Sequence, residues 1–104
     1  MPWRLSLAPE ALEDIDRHRG WLTQAGAGRK AHRTLSSMIS AINELPAAPR
    51  RWPGSLDHPG YRTCVVAGYV IVYRLDPDGD DPSAEGDVLV LRVFAPKQDR
   101  RERV

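Results

Sequence analysis

Cysteine is nearly absent. Cys64 stands alone, which excludes an internal disulfide and any site built from several thiolates. Long apolar runs are missing too: no stretch approaches the ~20 residues that a bilayer-spanning helix requires. The opening Met1-Pro2-Trp3-Arg4 lacks the basic-then-apolar order of a secretory leader, so the cytoplasm is the expected compartment and no membrane partner is expected. His18, His32 and His58 have no metal-ligand spacing and are expected at the surface or its boundary. No metal or cofactor is implied. Neither internal repeats nor a dividing linker occur, and 104 residues make one domain with a modest core.

What is present is charge, unevenly spread. The formal net charge of +1 hides an acidic segment, 76–87, with Asp76, Asp78, Asp80, Asp81, Glu85 and Asp87 and no Lys or Arg. Without those six acids the 15 basic residues face 8 acidic ones, leaving a body of +7. Such a body suits an acidic partner or a nucleic-acid complex. Asp76, Asp78 and Asp80 fall at the first, third and fifth positions of a calcium-binding loop. However, Asp81 replaces the glycine expected at the sixth, Asp87 the glutamate at the twelfth, and strands flank the segment. A solvated hairpin loop, mobile and dispensable for folding, is the expectation.

Trp3, Leu5 and Leu7 alternate and predict a short half-buried strand. Pro9 in a first turn followed by Glu10, Glu13 and Asp14 marks a helix start. Ala8, Leu12, Ile15 and Leu22 predict its buried face, to about residue 23. After the glycine-containing break at 25–28, Ala31, Leu35, Met38, Ile39, Ile42 and Leu45 form one apolar stripe that Pro46 ends. Residues 46–60, with four prolines and two glycines, form a surface loop. Residues 61–66, 69–75 and 88–94 predict strands, the first two joined tightly by Ala67-Gly68. The order β-α-α-β-β-β specifies an α+β domain: a helical hairpin packed on one face of a small, mostly antiparallel sheet.

Arg62, Arg74 and Arg92 each interrupt an apolar strand. A charge there must emerge on the solvated face of the sheet or find a partner. If the helices cover one face, these three line the other as a basic concave surface, to which the tail adds Lys97, Arg100, Arg101 and Arg103. Cys64, mid-strand with no activating neighbour, reads as a small buried hydrophobe.

The chain also carries a family pattern. Arg4-Leu5-Ser6-Leu7-Ala8-Pro9 with Leu12-Glu13-Asp14-Ile15 resembles the start of ParE-type toxins. Tyr61-Arg62 followed by Gly68-Tyr69-Val70-Ile71-Val72-Tyr73-Arg74 resembles the central hairpin of the RelE/ParE superfamily. Val88-Leu89-Val90-Leu91-Arg92-Val93-Phe94, with Gln98-Asp99-Arg100 after it, resembles the last strand and tail. In order, these motifs span nearly the whole chain.

The resemblance implies the toxin of a type II pair, neutralised by a cognate antitoxin in a hetero-oligomer. RelE-like members cut messenger RNA on the ribosome; ParE-like members inhibit DNA gyrase. RelE-like enzymes carry an arginine just after the turn of the central hairpin, where this chain has Val70, and His or Tyr after the last strand, where 95–104 has neither. Gyrase inhibition without enzymatic activity is therefore the favoured expectation. Arg62, Arg74, Arg92, Lys97, Arg100 and Arg101 are the expected target-binding residues. If the chain is instead a nuclease, Arg74, Arg92 and Lys97 would carry the chemistry. Trp3, Leu12, Ile15, Leu22 and Arg62 are assigned to the antitoxin, whose amphipathic helix would enter a groove between hairpin and sheet, or whose strand would extend a free sheet edge. A generic cytoplasmic binding module is the alternative from another class.

Overall fold

Proline at the start of α1 (Pro9–Leu22) and positive-φ glycines around Gly28, where α2 (Gly28–Glu44) begins, delimit the two helices in the computed structural model, which describes residues 3–79 and 85–97. A single 3-10 turn, Leu45–Ala47, follows α2 and accommodates Pro46. The strands are β1 (Trp3–Leu7), β2 (Arg62–Val66), β3 (Tyr69–Asp76) and β4 (Gly86–Phe94). The expected element order holds throughout. None of the described helices is long and apolar enough to cross a membrane.

The sheet order is β1-β4-β3-β2, with β1 parallel to β4 and the other two pairs antiparallel. Ala67 and Gly68, at φ 50° and 82°, close the β2–β3 hairpin. Positive φ at both central residues is what a twisted two-residue hairpin demands. An alanine at position 68 would be strained at that φ and would also bring its Cβ within 3.0 Å of Pro96.

Alternation sorts the sheet into two faces. Leu75, Tyr73, Ile71, Val88, Val90, Val93 and Cys64 face the helices and pack against Ala11, Ile15, Met38, Ile42 and Leu45. Val70, Val72 and Phe94 make a second, smaller cluster on the opposite face with Tyr61. A β-bulge lies between the two halves of the β3–β4 pairing: Val72 opposes Arg92 while Tyr73 opposes Val90, leaving Leu91 as the extra residue. Without it, Arg92 would share the helix-covered face with Val88 and Val90. The bulge turns Arg92 outward.

Two sequence expectations are corrected. The buried face of α1 is Ala11, Asp14, Ile15 and His18, whereas Leu12 is 51% exposed. The segment after the 3-10 turn does more than cross the surface. It pairs with the start of β2 (Thr63 N donates to Pro53 O, 3.0 Å) and receives the Tyr73 hydroxyl at Pro49 O, 2.7 Å.

Candidate target-binding face

The face of the sheet away from the helices carries the polar residues. Arg4 and Ser6 of β1, Arg74 and Asp76 of β3, and Asp87 and Leu89 of β4 line a shallow groove of about 730 Å³. Arg4 Nε donates to Asp87 Oδ1 at 3.1 Å, an exposed pair. Arg74 is exposed and shares the groove with Asp76 and Asp87.

Arg92 lies on this face, yet it is only 8% exposed. Its guanidinium reaches around the sheet margin to Asp14 of α1: Nε donates to Oδ2 at 2.7 Å and Nη2 to Oδ1 at 3.2 Å. It also covers the Phe94 ring at 4.8 Å from the centroid. Asp14 additionally accepts the Val93 amide at 2.9 Å and Arg17 Nη2 at 2.8 Å. One turn on, His18 Nε2 donates to Val93 O at 2.7 Å, and its ring meets Tyr69 edge-on at 5.0 Å. β1 ends at Leu7, which pairs with Val90, so beyond that point β4 has no neighbouring strand on this side. Asp14 and His18, four residues apart on one helical face, satisfy the amide and the carbonyl of Val93 in place of one. Burial by itself raises the Asp14 pKa, but the hydrogen bonds from Arg92 and Val93, the Arg92 charge and the Arg17 bond outweigh it and hold the carboxyl below its ordinary value.

Arg62 is not on this face. It pairs with Tyr73 and alternates with Cys64 and Val66, which belong to the helix side. Its guanidinium holds Asp78 through both carboxylate oxygens (3.1 and 2.9 Å) and donates to Trp52 O at 2.7 Å. The Asp78 hydrogen bond is the main reason its pKa is raised. Arg50 Nε adds a bond to Gly79 O at 2.8 Å. The acidic segment thus begins under a double arginine clamp. The expectation of a wholly mobile segment does not hold at Asp78 and Gly79, because both are bonded to the 50–62 region.

The expected basic surface of three arginines therefore reduces to Arg74, with Arg92 beside it already neutralised. Lys97 is exposed just after β4. Arg100, Arg101 and Arg103 lie outside the described residues. Of the positions assigned to an antitoxin, Trp3 and Ile15 are packed in the core. Leu12 is exposed, and Leu22 is half-buried against the core.

Two features escaped the reading of the sequence. The Asp14–His18 spacing was visible, but hydropathy places both outside. His58, expected at the surface or its boundary, is buried and stacks on Phe94 (centroids 6.1 Å, planes 9° apart), so the 53–60 loop is pinned on the open face. Cys64 is fully buried and its thiol pKa is pushed up to about 11 by burial, consistent with a core residue. Among the described residues no cluster of three metal-ligating side chains occurs.

The architecture is a helical hairpin on one face of a mixed four-stranded sheet. It is shared with a chain of the chromosomal ParDE TA system from P. aeruginosa (TM-score 0.65, 18% identity, 91% of this chain and 97% of that one). A chain of the RelBE2 toxin-antitoxin complex from Mycobacterium tuberculosis is also similar (TM-score 0.59, 19% identity, 91% and 99% covered). Comparison with curated proteins finds no match. Over residues 5–100 the sequence matches the ParE toxin of type II toxin-antitoxin system, parDE, and the chain belongs to that family.

Proposed function

We propose that the chain is a cytoplasmic toxin that arrests growth by binding DNA gyrase, and that it is held inactive by a cognate antitoxin. The observation that carries the gyrase reading is the state of the open-face cations. Arg92 is neutralised by Asp14, Arg4 is paired with Asp87, and Arg74 shares its groove with Asp76 and Asp87. Holding a scissile phosphate calls for cations whose charge is not already spent, with an acid and a base beside them. A face of interleaved arginines and carboxylates suits a protein surface of mixed charge instead, where arginine forks pair with carboxylates.

For the antitoxin, Leu12 and Leu22 remain candidates, as does the outer edge of β2. The 53–54 segment covers that edge only as far as Thr63, and Val65 beyond it is exposed. Strand addition there fits an extended partner segment.

The target is tested by incubating purified toxin with gyrase and relaxed plasmid, and separately with ribosomes programmed with messenger RNA. Inhibited supercoiling with intact RNA is the expected result. Cleavage in the ribosomal A site with undisturbed supercoiling would sink the gyrase reading in favour of the nuclease.

A further inference from the structure

The acids and bases of the helical hairpin are segregated. Glu10, Glu13, Asp14 and Asp16 all precede Arg17 in α1. From Arg17 to Asn43 there is no Asp or Glu at all, while Arg17, Arg19, Arg29, Lys30 and Arg33 fall in the same stretch. The last turn of α1 and the first turns of α2 are joined by the short connection 23–27, so these cations gather at one tip of the molecule.

Arg17 is tied to Asp14, but Arg19, Arg29, Lys30 and Arg33 are exposed and no described acid pairs with any of them. Trp21, 66% exposed, stands among them. Gly28, Arg29, His32 and Arg33 line a cleft of about 420 Å³ at the same tip.

This arrangement works against folding. Cations in the first turn of a helix oppose its dipole, and α2 has no acid there. Arg29 and Arg33, one turn apart, repel each other on the same helical face. A surface that weakens its own helix is accounted for by a ligand that relieves the repulsion. An ordinary protein partner offers scattered carboxylates among cations, as the open sheet face does. A single-sign surface instead matches a polymer of phosphates, against whose backbone the exposed indole can pack.

We propose that the tip of the helical hairpin, with Arg19, Trp21, Arg29, Lys30 and Arg33, is a sequence-independent docking surface for the phosphate backbone of DNA. It is separate from the open sheet face and does not depend on what that face binds. Neutralising four phosphates releases their counterions, so affinity should fall about 100-fold as salt rises from about 50 to about 200 mM.

The full-length chain is titrated against a fluorescein-labelled duplex of arbitrary sequence, read by anisotropy across that salt range. The variant Arg29→Gln/Lys30→Gln/Arg33→Gln keeps good helix formers and removes no ion pair. Circular dichroism and thermal melting confirm that it folds. It should bind at least tenfold more weakly at the lowest salt, with the salt slope reduced by about 3. Arg4→Gln/Arg74→Gln, on the sheet face, should bind as the parent does. Trp21→Phe should remove the change in indole emission that accompanies binding. The proposal is overturned by no binding at the lowest salt or by an unchanged triple variant. It is also overturned by loss confined to the Arg4/Arg74 variant, or by polyglutamate of matched charge binding more tightly than duplex, which would make the tip a site for an acidic protein.

Discussion

Asp14 shows how one side chain decides the behaviour of others. Its two oxygens receive Arg92, Arg17 and the Val93 amide, so a carboxylate only 2% exposed is fully compensated. Removing one member of a buried pair leaves the other charged and desolvated, which costs about 3 kcal/mol. Asp14→Asn should lose stability on that scale in urea unfolding at neutral pH, and Arg92→Met added to it should recover part of the loss by removing the stranded cation. The folded carboxyl titrates below its unfolded value of about 3.9. Its contribution is therefore complete above that pH and disappears as pH falls through the depressed folded value. The gap between parent and Asp14→Asn should accordingly close in acid. A gap that persists, or widens, once pH has fallen through that depressed value would show that Asp14 acts through packing rather than charge.

Among elements, the β3–β4 connection and the strap after α2 depend on each other through Arg62. Its guanidinium joins Asp78 to the Trp52 carbonyl, and both side chains of the ion pair are mostly screened from water. Arg62→Leu leaves a carboxylate and a backbone carbonyl without their donor and should cost about 2 kcal/mol. In a domain of this size that lowers Tm by roughly 10 °C. Arg4→Ala, which breaks an exposed pair, should leave Tm nearly unchanged. Equal effects would mean that the clamp adds nothing beyond surface charge.

The same elements show what was legible in the sequence. The positions of β3 and β4 follow from their β-branched and aromatic content, and that of α2 from the 3.6-residue period of its apolar stripe. Arg62 belonged to the helix side by its alternation with Cys64 and Val66, a signal present in the sequence but outweighed there by its charge. The orientation of Arg92 depends on the bulge at Leu91, and no turn or proline announces a bulge. The inward phase of α1 depends on Asp14 and His18 bonding to Val93, a residue at the far end of the chain. Hydropathy sees neither, because each polar group is buried on account of a distant partner.

At the scale of the whole molecule, Cys64 reports on global opening. It lies in the central core on β2 with 0% exposure, and burial raises its thiol pKa to about 11. Only the thiolate reacts, so in the folded chain both access and ionisation are denied, while an unfolded thiol near its usual value of about 8.5 reacts readily at pH about 8. Labelling with a disulfide reagent should therefore proceed only through molecules that have opened the sheet, at a rate set by the folded–unfolded balance. Asp14→Asn, destabilised by about 3 kcal/mol, should label about 100-fold faster. A partner that binds only the folded chain, as an antitoxin would, should slow labelling in proportion to its saturation. Rapid labelling of the parent, unchanged by urea, would show that β2 frays locally and that Cys64 does not share the core's stability. If Asp14→Asn left the rate untouched, the Asp14 network and the Cys64 region would be separate cooperative units. The contacts of both α1 and β2 with the single cluster around Ile71 and Val93 argue for one unit.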